Sequence, residues 1–184
     1  RAAFAALIKA APDEIAIFSS VSEATSAVAS ALEFGRTRNG VVASEAEFPT
    51  VGHVWLAQES RGARVSWVAV RDGAIDLGEY ERAIGDDTAI VSACHGYYLD
   101  GFTQDLAAIA KLAHQRGALL YVDAYQTLGT VPVDVKALGV DFLASGTLKF
   151  LMRSPGSAFL YVRPELIESL HPTSTGWFGR ANRF

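Results

Sequence analysis

Short apolar runs alternate with amphipathic stretches along the chain. Seven runs read as buried strands: EIAIFS (14–19), GVVAS (40–44), RVSWVAV (64–70), TAIVSAC (88–94), LLYVDAY (119–125), DFLASG (141–146) and SAFLYVR (157–163). Between them lie helical patterns. Ala2, Phe4, Leu7 and Ile8 read as a helix at the start. SEATSAVASALEF (22–34) opens on a capping serine, Ser22. LDGFTQDLAAIAKLAHQRG (99–117) repeats apolar residues at helical spacing and stops at Gly117. PVDVKALGV (132–140) and PELIESL (164–170) read as shorter helices. Strands apolar on both faces, alternating with helices, predict an α/β fold: a mainly parallel seven-stranded sheet flanked by helices. No repeat, low-complexity tract or long linker interrupts the pattern.

Composition narrows the classes. The chain has 184 residues, half of them hydrophobic and a fifth charged, enough for one sizeable core in a soluble globular protein. A net charge of −4 without a Lys/Arg run argues against nucleic acid as a partner. No apolar stretch approaches the length of a membrane span, and the start shows no secretory signal pattern. The single cysteine, Cys94, excludes a disulfide within the chain and fits a reducing compartment, so a cytoplasmic protein is expected. Arg1 falls inside a helical pattern and TGWFGRANRF (175–184) holds no closing element, so a fragment or a processed chain is expected.

In open parallel sheets the ligand lies beyond the carboxyl ends of the strands. There the sequence offers Ser19 to Ser22, then Glu45 to Thr50, then Cys94 to Tyr98, then Asp123 to Gln126, and finally Ser145 to Lys149. Taken singly, each has a plain structural reading. Ser22 serves as a helix cap, Cys94 as a small core residue, and His95 as a structural histidine or a base. A strand-end lysine is solvated, and Asp123 pairs with an arginine or caps a turn. Taken together they pose a question, because an ionised carboxylate closing a buried strand needs a cation nearby. Lys149 follows Asp123 by one strand–helix–strand unit, which sets the two at the same edge.

The segment YVDAYQTLGTVPVDVKALGVDFLASGTLKFLMRSPGSAFLYV (121–162) resembles the pyridoxal 5′-phosphate (PLP) enzymes of fold type I, specifically the class V aminotransferase-like group. That group holds cysteine desulfurases, selenocysteine lyases, kynureninases and isopenicillin-N-epimerase-like proteins. The resemblance extends back to SSVSEAT and EFPT and forward to TGWFG. It implies a chemistry in which Asp123 keeps the cofactor's ring nitrogen protonated, so that the cation sought for Asp123 is a pyridinium. It further implies that Gln126 bonds the phenolic oxygen, that Lys149 is the Schiff-base lysine, and that Phe48 stacks on the ring. Val21 and Ser22, at a helix start with free N–H groups, together with Ser145 and Thr147, would hold the phosphate. Trp177 would reach the phosphate of a neighbouring subunit, which implies a homodimer with a shared site. No metal is implied.

Three departures from the family pattern shape the expectation. Arg153 stands where the family has a small residue, and is expected near the phosphate or the substrate entrance. Neither the N-terminal arm nor the smaller C-terminal domain is represented, so residues 1–184 read as the PLP-binding large domain alone. Cys94 does not match the desulfurase nucleophile. The expected function is PLP-dependent chemistry on an amino acid, lyase- or desulfurase-like ahead of transamination or epimerisation. The alternative is a truncated or non-catalytic homologue serving as a PLP-binding or dimerisation module. A nucleotide-binding domain is disfavoured, since neither G-x-G-x-x-G nor a P-loop motif follows any strand.

Overall fold

The computed structural model of the chain describes residues 1–174. Seven strands are present: β1 (Ile15–Phe18), β2 (Gly40–Ser44), β3 (Arg64–Val68), β4 (Thr88–Cys94), β5 (Leu119–Asp123), β6 (Phe142–Gly146) and β7 (Ala158–Val162). The helices are α1 (Ala2–Ile8), α2 (Val21–Ala31), α3 (Pro49–Ala57), α4 (Leu77–Ala83), α5 (Leu106–Gln115) and the short α6 (Pro164–Ile167). Each predicted strand forms, with ends trimmed by at most two residues. Among the described residues, no helix is long and apolar enough to cross a membrane.

The strands make one sheet in the order β1-β7-β6-β5-β4-β2-β3. β2, β3, β4, β5 and β6 are parallel neighbours, while β7 runs antiparallel to both β6 and β1. The carboxyl ends of β1, β2, β4, β5 and β6 therefore meet the amino end of β7 at one edge. Side chains alternate across the sheet with the period of two that a strand imposes. Leu120, Val122, Leu143, Phe159 and Tyr161 pack with α1, α4 and α5 on one face. Tyr121, Phe142, Ala144, Ala158 and Leu160 pack with α2 and α3 on the other. Both faces being covered explains why the strands read as unbroken apolar runs.

At the edge remote from that convergence, Asp141 is fully buried. Its carboxylate meets Arg163 at 2.7 Å and His114 at 2.8 Å and accepts the Leu120 N–H at 2.6 Å. This cluster locks β5, β6, β7 and α5 together, and each partner is needed because a lone buried charge is costly.

Three local expectations are corrected. The cap of α2 is Ser20, not Ser22: the Ser20 hydroxyl accepts the Glu23 N–H, and the Glu23 carboxylate reaches back to the Ser19 N–H and hydroxyl. That capping box starts the helix at Val21. Residues 132–140 form a turn rather than a helix. Leu138 N–H bonds Asp134 O, after which Gly139 takes a φ of 68° and ends the turn. Helices α3 and α4 were not expected. Pro49 at the first position starts α3, and Asp76 caps α4 by accepting the Gly78 N–H.

Candidate functional site

The converging strand ends enclose a cavity of about 210 Å³, whose lining includes Ser20, Val21, Ser22, Phe48, Asp123 and Tyr125. Four chain segments far apart in sequence supply its wall, the fourth being residues 155–158 at the start of β7. Sheet order accounts for this: β5 is central, β1 and β7 lie to one side, and the turn after β2 lies on the other.

The α2 amino terminus forms one end of the cavity. Its first-turn N–H groups have no partner within the helix, and the dipole there favours an anion. Glu23 already uses the Ser19 donors, and this holds its carboxyl below the ordinary range. Val21, buried, and Ser22, exposed, sit on the cavity wall.

Asp123 is the buried charge of the site. It is 5% exposed, its Oδ1 accepts the Tyr125 N–H at 2.9 Å, and no ion pair to it forms among the described residues. Burial raises its pKa to about 6, against the pull of the Tyr125 N–H and the charge on Lys149. The carboxylate is thus under-compensated among the described residues. Lys149 lies in the loop after β6, next to β5 in the sheet, with Nζ 5.2 Å from the Phe48 ring centroid and 4.8 Å from that of Tyr125. Burial pulls its pKa down and Asp123 pulls it back up. A lowered amine pKa suits a nucleophilic lysine.

The structure places the remaining expected residues as follows. Ser145 is buried, and its hydroxyl faces the Ala124 carbonyl at 3.5 Å. The Thr147 hydroxyl meets the Ser154 and Ser157 carbonyls at 3.1 Å, bracing the loop that carries Lys149. Neither lines the cavity. Gln126 sits half-buried in the Asp123 turn, beside Gly96 and off the cavity wall. Arg153 is exposed and lines a separate depression with Phe4 and Leu7 of α1. Trp177 lies outside the described residues. Cys94 is a core residue: its thiol, pushed up by burial, meets the Ala46 carbonyl at 3.2 Å. His95 is held neutral by burial, its Nδ1 2.8 Å from the Thr127 hydroxyl.

The sequence profile of the family described as Aminotransferase class-V matches residues 1–180. The chain belongs to that family. Among aminotransferase class-V relatives it is 48% identical over 182 residues to the uncharacterized aminotransferase YcbU of Bacillus subtilis, covering 98% of this chain and 48% of that protein. It is 36% identical over 166 residues to the cysteine desulfurase IscS of Neisseria meningitidis serogroup A, covering 89% of this chain and 41% of the other. In three dimensions it resembles the apo cysteine desulfurase of Thermococcus onnurineus NA1 with a TM-score of 0.85 at 28% identity, covering 94% of this chain and 44% of that one. The chain thus spans somewhat under half the length of these class-V relatives.

Glu47 and Tyr125 fall inside the strand-end segments 45–50 and 123–126, yet the sequence alone gives neither a role. Glu47 is buried with its Oε1 accepting the Ser92 hydroxyl at 2.8 Å, and its other oxygen has no hydrogen-bond partner among the described residues. Its one sequence signal was a position just before Phe48. Tyr125 lies between Asp123 and Gln126 in the motif, but which way its ring turns depends on Gly146, a residue on another strand.

Proposed function

We propose that this chain forms the cofactor-binding domain of a PLP-dependent enzyme acting on an amino acid. The observation that carries the proposal is Asp123: a buried carboxylate on the wall of a cavity, with no ion pair to it among the described residues and a lysine at the same edge. The residues present fit the group. Asp123 would hold a proton on the pyridine nitrogen, and the α2 amino terminus with Val21 and Ser22 would bind the phosphate. Phe48 would supply an apolar face for the ring, and Lys149 would bear the cofactor through Nζ. Once bound, PLP supplies an electron sink for charge developing on the substrate.

Each residue then has a defined task. Asp123 sets the protonation state, Lys149 supplies the amine and moves protons at Nζ, and the α2 terminus anchors. Elimination of the lyase or desulfurase kind is favoured over transamination, because Phe48 in EFPT resembles the aromatic of the kynureninase-like branch. A homodimer is part of this reading. Leu148, Phe150 and Met152 flank Lys149 and are 50%, 48% and 87% exposed, an apolar strip that a second copy would cover. A cytoplasmic location is retained from the lone buried thiol.

The test is direct. The protein supplied with PLP should turn yellow, lose that absorbance on borohydride treatment, and yield a pyridoxyl label on Lys149 by peptide mapping. A label on Lys9, Lys111 or Lys136 instead would overturn the assignment.

A further inference from the structure

Lys149 makes no ion pair among the described residues, yet its ammonium is not simply solvated. It lies over two aromatic rings at once, both within the ~6 Å at which a ring face attracts a cation. The two rings come from different elements, Phe48 from the turn after β2 and Tyr125 from the turn after β5. Each is held in place by something other than the lysine. Tyr98 meets the Phe48 ring edge-on at 5.3 Å between centroids. The Tyr125 backbone is fixed by its N–H to Asp123 Oδ1, and its ring rests on the β6 backbone at Gly146. A Cβ on Gly146 would lie 2.5 Å from the ring's Cζ and 2.7 Å from the hydroxyl, so any side chain there would push the ring away. The glycine that admits the ring and the lysine beneath it belong to the same strand and the loop that leaves it.

We propose that Tyr125 is a positioning residue for Lys149: with Phe48 it forms a two-ring seat that holds the Lys149 ammonium against two rings of the cavity wall before any cofactor enters, and Gly146 makes room for it. The inference rests on reading Lys149 as the cofactor-bearing residue for its purpose, although the seat itself belongs to the cofactor-free protein. A free lysine explores many rotamers, and a seat removes that search in advance. The rings also favour the charged amine and so oppose the pull of burial. The charge acting on Lys149 from the neighbouring elements is that of Asp123, at the end of β5.

The experiment reads the amine, not turnover. In the full-length protein freed of bound aldehyde with hydroxylamine, Lys149 is labelled competitively with a trace amine reagent across pH, and its peptide is quantified by mass spectrometry. Tyr125→Phe keeps the ring and should leave the titration midpoint of Lys149 where it is. Tyr125→Leu keeps apolar bulk but removes the π face, and should lower the midpoint by about half a pH unit, roughly a three-fold rise in labelling below it. Phe48→Leu, at an exposed ring that the core does not need, should move the midpoint the same way. Gly146→Ala should act like Tyr125→Leu by displacing the ring. Midpoints unchanged in both leucine variants, or raised, would overturn the seat. Failure of PLP to bind the parent protein would instead sink the functional reading and leave the labelling result standing.

Discussion

Asp123, which closes β5, and Lys149, in the loop after the neighbouring parallel β6, do not neutralise one another: the carboxylate takes the Tyr125 N–H while the ammonium lies between two rings. A buried aspartate in that condition destabilises the empty protein. Its folded pKa, about 6, is raised from 3.8, so the stability it contributes is present below pH 3.8 and lost as pH rises through 6.

Asp123→Asn removes that cost. The cofactor-free variant should be more stable than the parent at pH 8 by about 3 kcal/mol, an advantage that fades as pH falls from 6 toward 4. Added PLP should stabilise the parent far more than the variant. Urea unfolding at pH 4.5 and pH 8, with and without PLP, measures all four terms. A variant less stable than the parent at pH 8 without cofactor would contradict the argument.

Glu47 is a second buried acid, raised well above its ordinary 4.5 by burial first and by the charge on Asp123 second. Its protonated form is therefore favoured in the folded protein to a higher pH than in the unfolded chain. Its contribution to stability is present below 4.5 and is lost as pH rises toward its folded value. Glu47→Gln keeps the bond with the Ser92 hydroxyl and cannot ionise. Thermal unfolding of this variant should match the parent in weak acid and exceed it in alkali. Equal pH dependence of the two melting curves would show that Glu47 is not held neutral.

Thr25 and Tyr121 tie α2 to the central strand through a buried hydroxyl pair at 2.6 Å. Thr25→Val keeps the shape and leaves the Tyr121 hydroxyl without a partner, at a cost of about 1–3 kcal/mol. Because α2 forms one end of the cavity, PLP affinity should fall along with the denaturation midpoint. Loss of stability with affinity untouched would uncouple the helix from the site.

The apolar strip around Lys149 predicts assembly. Leu148→Asp combined with Met152→Asp changes side chains that are at least half exposed, so the fold should survive. In sedimentation the parent protein should run as a dimer and the double variant as a monomer. A parent that is monomeric at micromolar concentration would remove the strip from this role.

The strands were legible because burial on both faces writes them as plain apolar runs, with Gly40–Ser44 and Thr88–Cys94 recovered to the residue. Asp123 was legible because it ends such a run, and Lys149 because it follows the next run by three residues, which the parallel order sets at the same edge. What escaped was partly near and partly distant in the chain. Ser22 reads as the α2 cap because it opens the helical spacing, although Ser20-Val21-Ser22-Glu23 carries the S-x-x-E pattern of a helix that starts two residues earlier. The 132–140 turn escaped because its apolar spacing is helical while Gly139 prevents a second turn. The Tyr125 seat required Gly146, and the Arg153 depression required α1, both distant in the chain.

The antiparallel seating of β7 has a consequence for synthesis. Residues 15–18 pair with residues 158–161, near opposite ends of the described chain, and the cavity wall draws on both termini of that pairing. The parallel core of β2, β4 and β5 can assemble on a nascent chain, but β1 has no neighbour until β7 has left the ribosome. Non-local pairing of this kind is slow and leaves an open strand edge while it waits. Because its wall takes residues 19–22 and 155–158 from beside that pairing, the cavity is complete only when β1 and β7 have met, so a ligand that binds there recognises only chains whose sheet is complete.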